Sequence, residues 1–262
     1  MTWAPDTAAV AAMVGLGSGL VLPRVIGALP EPHPEPVDAP GLVPAENEGA
    51  YARPVDAPKE LYRALATLPG LGWRCGVACA VLAGLVGGRL GWDPALPVWV
   101  WLVPVGVALA VVDWRTRYLP TRLIAPSYVV VGALLVIPAV ATSDWAQLRG
   151  AVIGWLGTFA VFWTAWFVSA RLVSYGDVRL AGLLGMALGW QGLPELFVGI
   201  YAGFLLGGLA APVLSGLRIF HHRHYPFGPF LLLGALVGLL LTSEVGEAGG
   251  WLVERLAGLL AR

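Results

Sequence analysis

Two aspartates sit where apolar runs meet polar chain: Asp113 closes one run and Asp177 opens another. A charge at the centre of a membrane helix costs about 2.5–3.5 kcal/mol, so acids in such places need a reason to be there. Two carboxyl groups held close together do not both ionise cheaply. One stays an acid while the other acts as a base, which is the equipment for splitting an amide with water. The base takes a proton from the attacking water, and the acid protonates the carbonyl oxygen. The chemistry expected of this pair is that of an aspartyl endopeptidase working at a membrane.

The composition supplies the membrane. The chain of 262 residues is 58% hydrophobic and 12% charged, with mean hydropathy +0.76. Soluble domains carry about 25% charged residues, so a water-facing surface could not be covered here. Formal net charge is +0, which excludes the basic surface that a nucleic-acid partner requires. The two cysteines, Cys75 and Cys79, fall in one apolar run and read as small core residues on one helix face.

A helix crosses about 30 Å of hydrocarbon in roughly 17–25 residues. Eight stretches qualify: 7–28, 74–92, 97–113, 123–142, 150–171, 177–191, 194–217 and 226–242, the sixth being short with polar ends. Only helices satisfy their backbone inside lipid, so the expected fold is an all-α, multi-pass membrane protein of about eight transmembrane helices. The first span has no Lys or Arg before Arg24, unlike a secretory signal, and reads as an anchor with its N-terminus outside. Alternating the spans from there puts Arg89, Arg149, Arg255 and Arg262 outside, and the other 12 of the 16 basic residues inside. The positive-inside rule favours that orientation. Parity then places the end of the third span and the start of the sixth on the same cytoplasmic face. Asp113 and Asp177 are thereby expected to meet.

Four segments follow: residues 1–28 as the first transmembrane helix, 29–73 as a Pro-rich cytoplasmic loop, 74–243 as the membrane core, and 244–262 as a tail suited to the interface. Trp92, Trp114, Trp145 and Trp190 lie near span ends, as interfacial anchors do. His221, His222 and His224 share a short loop with Arg218 and Arg223, and lack a nearby acid or thiol; a cationic, solvated loop is expected there and no metal site. Asp144 and Glu195 read as solvated charges on the outer side.

Three motifs resemble those of the type IV prepilin peptidases. The run Ser174-Tyr175-Gly176-Asp177-Val178-Arg179-Leu180-Ala181 is similar to the family's GxGD signature. Asp113, seven residues before the proline of Leu119-Pro120, resembles its first catalytic motif. Pro226-Phe227-Gly228-Pro229-Phe230 matches its late motif, and Gly17-Ser18 with Arg24 is a fainter echo of its first helix. The resemblance covers most of residues 74–242. It implies that Asp113 and Asp177 are the catalytic pair and that Ser174, Gly176, Arg179, Pro120, Pro226, Phe227, Gly228 and Pro229 shape the site. It implies a prepilin or pseudopilin substrate, cut at the cytoplasmic face of the inner membrane, with no cofactor. A pilus or secretion machine is the implied wider partner, and lipid the surroundings.

Two departures stand out. Ser174 occupies the place of the first Gly of GxGD, where some loop freedom is expected to be lost. Many family members also carry a cytoplasmic domain with two Cys pairs and methylate the new N-terminus. Residues 29–73 occupy that place without a cysteine, so neither a zinc site of that kind nor methylation is expected. Gly176 is expected to permit a turn before its helix, and Arg179 to face either the carboxyl pair or lipid headgroups. The pair itself admits two other readings, an ion- or proton-coupled transporter and an inactive scaffold of a pilus or secretion machine.

Overall fold

The computed structural model describes residues 3–31, 61–143, 145–168, 173–216 and 226–242. The described residues are helical throughout their ordered elements, with no strand among them. In chain order the helices are α1 (Pro5–Gly27), α2 (Tyr62–Ala66), α3 (Leu71–Leu90), α4 (Leu96–Thr116), α5 (Thr121–Thr142), α6 (Trp145–Val168), α7 (Tyr175–Gln191) and α8 (Leu193–Gly216). A last apolar helix, α9, spans Gly228–Thr242.

Six of these are long and apolar enough to cross a membrane: α1, α3, α4, α5, α6, and α8 over Leu193–Ala210. Each of the eight stretches expected from sequence contains a helix, but α7 and α9 are shorter than that criterion asks. At 1.5 Å per residue the 17 residues of α7 run about 26 Å. Every residue of α7 from Leu180 to Trp190 is buried. An apolar helix covered on all sides need not match the bilayer, because its neighbours supply the apolar contact. This also corrects the reading of Trp190 as an interfacial anchor: it lies inside the bundle, whereas Trp92 is exposed and donates to Asp6 Oδ2 at 3.0 Å.

Small residues let the helices approach. A Cβ placed on Gly19 of α1 would lie 2.7 Å from the Gly76 Cα of α3, and one on Gly189 of α7 would lie 3.0 Å from the Gly154 Cα of α6. At the α8–α9 contact a Cβ on Gly238 would come within 2.7 Å of the Gly199 Cα. Lipid tails give no apolar reward for helix association, so backbone contact at glycine carries these pairings. Cys75 and Cys79 are buried, unbridged and packed in the α1–α3 interface, as small core residues would be.

Helix ends differ from the expected ones by a few residues. α4 continues three residues past Asp113 and stops where Arg117 turns left-handed (φ 53°), its N–H returning to the Asp113 carbonyl at 2.8 Å. α6 starts at Trp145, earlier than the residue 150 expected. Within 29–73, residues 32–60 lie outside the described residues, 62–66 form α2, and α3 begins at Leu71. The Glu31 carboxylate caps α2, accepting from the N–H of Tyr62 at 2.7 Å and of Arg63 at 3.0 Å. The tail 244–262, the His221–His224 loop and Asp144 lie outside the described residues. Glu195 sits in the first turn of α8, where a negative charge suits the helix dipole.

Candidate functional site

Asp113 reaches the site from the last turn of α4, and Asp177 from the first turn of α7. Both are buried, each 5% exposed. The surroundings of the two carboxyls are joined through Leu119, which lies against both Gly176, the neighbour of Asp177, and Gly228, whose N–H holds Asp113.

Each is held by its own donors. Asp113 Oδ2 accepts from the backbone N–H of Gly228, on α9, at 3.0 Å. Asp177 Oδ2 accepts from the Ser174 N–H at 3.0 Å and the Ser174 hydroxyl at 2.7 Å. The Ser174 Oγ in turn accepts from the Asp177 N–H at 3.2 Å, closing a reciprocal cap on α7. All these bonds fall on Oδ2. Oδ1 of each carboxylate makes no hydrogen bond among the described residues.

Leu119 is the residue that locks the three motifs to one another. Arg117 turns the chain at the end of α4, and Leu119 then packs into the bundle before Pro120 starts α5. A Cβ on Gly176 would sit 2.9 Å from the Leu119 Cβ, and a Cβ on Gly228 would sit 3.3 Å from the Leu119 Cδ2. The same Cβ on Gly228 would stand 2.8 Å from Asp113 Oδ2. Glycine at both places is thus a matter of space. Sequence reasoning quoted Leu119 within its motif without assigning it to the site, and only the folded arrangement reveals its position between two glycines.

Other expected site residues fall as follows. Pro120 is buried and forms the N-cap of α5. Pro226 and Phe227 form a short non-helical lead into α9, whose first residues are Gly228 and Pro229. The Phe227 ring packs against Phe162 of α6 and Phe204 of α8, at 6.4 and 5.4 Å between centroids. Gly176 does not make a turn before the helix: α7 begins at Tyr175, and Gly176 has no positive φ. Nor does Ser174 need the freedom of glycine, since its φ of −80° is ordinary extended backbone. Arg179 turns away from the carboxyl pair. Its guanidinium lies 5.1 Å above the Tyr175 ring and donates to Thr121 Oγ1. Two residues along a helix is a rotation of about 200°, so Asp177 and Arg179 serve opposite faces of α7.

The cap makes Ser174 a stability determinant as well as a neighbour of the site. Ser174→Ala is expected to cost ~1 kcal/mol, whereas Ser174→Gly costs only a few tenths. Unfolding of the detergent-solubilised variants measures this, and an alanine variant as stable as the parent would show that the cap contributes nothing.

Among the described residues no group of three or more His, Cys, Asp or Glu side chains is arranged to hold a metal ion. Fold and site together define a multi-pass helical membrane protein with a buried pair of carboxyl groups at one end of its bundle.

Comparison with known proteins places that class. The profile of the type IV leader peptidase family matches residues 100–243, more than half of the chain, and the chain belongs to that family. It is similar to the prepilin leader peptidase/N-methyltransferase of Dickeya chrysanthemi, 34% identical over 177 residues, covering 65% of this chain and 57% of that protein. The protein of the same description from Pectobacterium carotovorum is 30% identical over 167 residues, covering 62% and 58%. That from Neisseria gonorrhoeae is 28% identical over 178 residues, covering 65% and 58%. The chain therefore spans less than two thirds of the length of these relatives. No solved structure matches it.

Proposed function

We propose that this protein is a membrane aspartyl endopeptidase that removes the leader of type IV prepilins or pseudopilins, with Asp113 and Asp177 as its catalytic pair. The observation that carries this reading is that two carboxyl groups, each 5% exposed, stand at the end of α4 and the start of α7 around Leu119 in a chain of the leader peptidase family. In the proposed reaction one carboxylate takes a proton from water as its oxygen attacks the scissile carbonyl. The other, protonated, gives its proton to the carbonyl oxygen. Collapse of the tetrahedral intermediate breaks the C–N bond, and the amine leaves with a proton from the pair. The Gly228 and Ser174 donors hold Oδ2 of each carboxyl and so fix the orientation of the pair, leaving Oδ1 as the atom that would act on water and peptide in this reaction.

The site lies at helix ends, where a polar leader joins an apolar helix in such a substrate. We place it at the cytoplasmic face of a bacterial inner membrane, in an eight-span bundle with its N-terminus outside. Residues 1–28 are the first anchor, 29–73 a cytoplasmic loop, 74–243 the peptidase core and 244–262 a tail. A Thr2→Cys protein should react with an impermeant thiol reagent in intact cells, and Arg115→Cys only after permeabilisation; the reverse pattern rejects this orientation. Ser174, Gly176, Pro120, Pro226, Phe227, Gly228 and Pro229 support the pair, while Arg179 acts elsewhere. The proposed activity does not include methylation of the new N-terminus: the two cysteines, Cys75 and Cys79, are both buried in the α1–α3 interface and do not suit a four-cysteine metal site.

The test is direct. The purified protein in detergent should cut a synthetic prepilin at the junction of leader and apolar helix, read by mass spectrometry of the products. Ion uptake into proteoliposomes that needs either aspartate, with no peptide cut, would replace this reading with a transporter.

A further inference from the structure

A second concavity lies on the far side of α7 from the carboxyl pair. It is an outward-facing groove of about 470 Å³ between α5, α6 and α7, formed by Tyr128, Gly132, Trp155, Phe159, Arg179 and Met186 together with Val129. That volume is in the range of pockets that hold discrete small ligands, about 300–1,000 Å³. Its walls are built with care. The Tyr128 hydroxyl donates to the Arg179 carbonyl at 2.6 Å, and the Tyr128 and Trp155 rings stand 6.0 Å apart. Gly182 packs close against these walls, where a Cβ would come within 3.3 Å of both Trp155 and Phe159.

The groove is polar at one end only. Arg179 is near the start of α7, beside Thr121 at the start of α5, and so at the same end of the bundle as Asp113 and Asp177. Its Nε donates to the Tyr175 carbonyl at 3.4 Å and its Nη1 to the Thr121 hydroxyl, while Nη2 has no partner among the described residues. A guanidinium so fixed presents N–H donors in a plane that suits a phosphate. Met186, seven residues further along α7, lies about 10 Å deeper, and nothing charged lines the groove between them.

We propose that this groove is a binding site for one anionic phospholipid, its phosphate on Arg179 and an acyl chain along Tyr128, Gly132 and Trp155. Charge and position select the occupant: a cation at the rim of the membrane, above an apolar channel that opens outward toward lipid. A zwitterionic lipid brings a cationic group to the same rim and loses by repulsion what its phosphate gains. The inference is independent of peptide cleavage and stands on the geometry of α5, α6 and α7.

Native mass spectrometry of the detergent-solubilised protein, mixed with equal amounts of phosphatidylglycerol and phosphatidylcholine, tests it. The parent protein should retain one phosphatidylglycerol in preference. Arg179→Gln should weaken that preference about fivefold, the factor set by one basic residue at an anionic surface, and Arg179→Lys should keep it. A Cβ at Gly132 meets nothing within 4 Å, so Gly132→Phe should fill the channel without disturbing the fold and expel the lipid with Arg179 untouched. Helix propensity favours that change as well. Equal retention of both lipids by the parent overturns the proposal, and so does a Gly132→Phe protein, folded by its melting curve, that holds phosphatidylglycerol as the parent does. Displacement of the lipid by glycerol 3-phosphate alone would deny the acyl channel its part and overturns it too.

Discussion

Purified Asp113→Asn and Asp177→Asn proteins are each expected to lose cleavage of a synthetic prepilin by about 10⁴-fold while remaining folded. Asparagine keeps the shape of the side chain but can neither take a proton from water nor return one to the leaving amine. The fold should tolerate both changes. At 113 the amide oxygen accepts the Gly228 N–H as Oδ2 does now, and at 177 it accepts the Ser174 N–H and hydroxyl. Removing a negative charge from a buried position also removes its desolvation cost, so the melting temperature is not expected to fall. The double variant should be no worse than either single one, because groups that act as a unit lose their whole effect with the first member. Cleavage retained by either purified variant would take that residue out of the catalytic role. Cleavage lost together with the melting transition would mark a folding defect, and the comparison of the two readouts separates these outcomes.

How much of this arrangement could be read from the chain differs by the kind of information needed. Apolar run length and the parity of spans were enough to expect a helical membrane protein and to put Asp113 and Asp177 on one face. Both signals are local and additive along the sequence. The register of contacts between helices is not. Nothing about Leu119 distinguishes it from other leucines until α4, α7 and α9 are packed, whereupon it fills the space that Gly176 and Gly228 leave. The same holds for Gly228. Its place in a Pro-Phe-Gly-Pro-Phe run marked it as notable, but that its N–H holds Asp113 depends on a pairing across 115 residues. Arg179 is a different case, since helical geometry alone sets it opposite Asp177, and a reading that applied the rotation between residues i and i+2 would have turned it toward α5. The Glu31 cap on α2 was hidden because a proline-rich neighbourhood masked a five-residue helix too short to show periodicity.

Gly228→Ala is expected to lower the rate of cleavage about 100-fold with little change in stability. A Cβ at this position would stand 2.8 Å from Asp113 Oδ2 and 3.3 Å from the Leu119 Cδ2, so one of them must move. The carboxylate moves most easily, being the far end of a short side chain that can rotate about its own bonds. Rotation relieves the contact at small cost but lengthens or bends the bond from the Gly228 N–H and swings Oδ1 away from its partner across the site. A misplacement of about 1 Å at a reacting group is enough for a 100-fold loss. Gly176→Ala provides the contrast, because its Cβ would meet the Leu119 Cβ at 2.9 Å, an atom tied to the backbone that cannot swing aside. That variant should lose stability along with activity, whereas Gly228→Ala should melt with the parent protein and cut slowly. A Gly228→Ala protein with parental cleavage would mean that Asp113 does not owe its orientation to α9, and the third motif would then act on the site through packing alone.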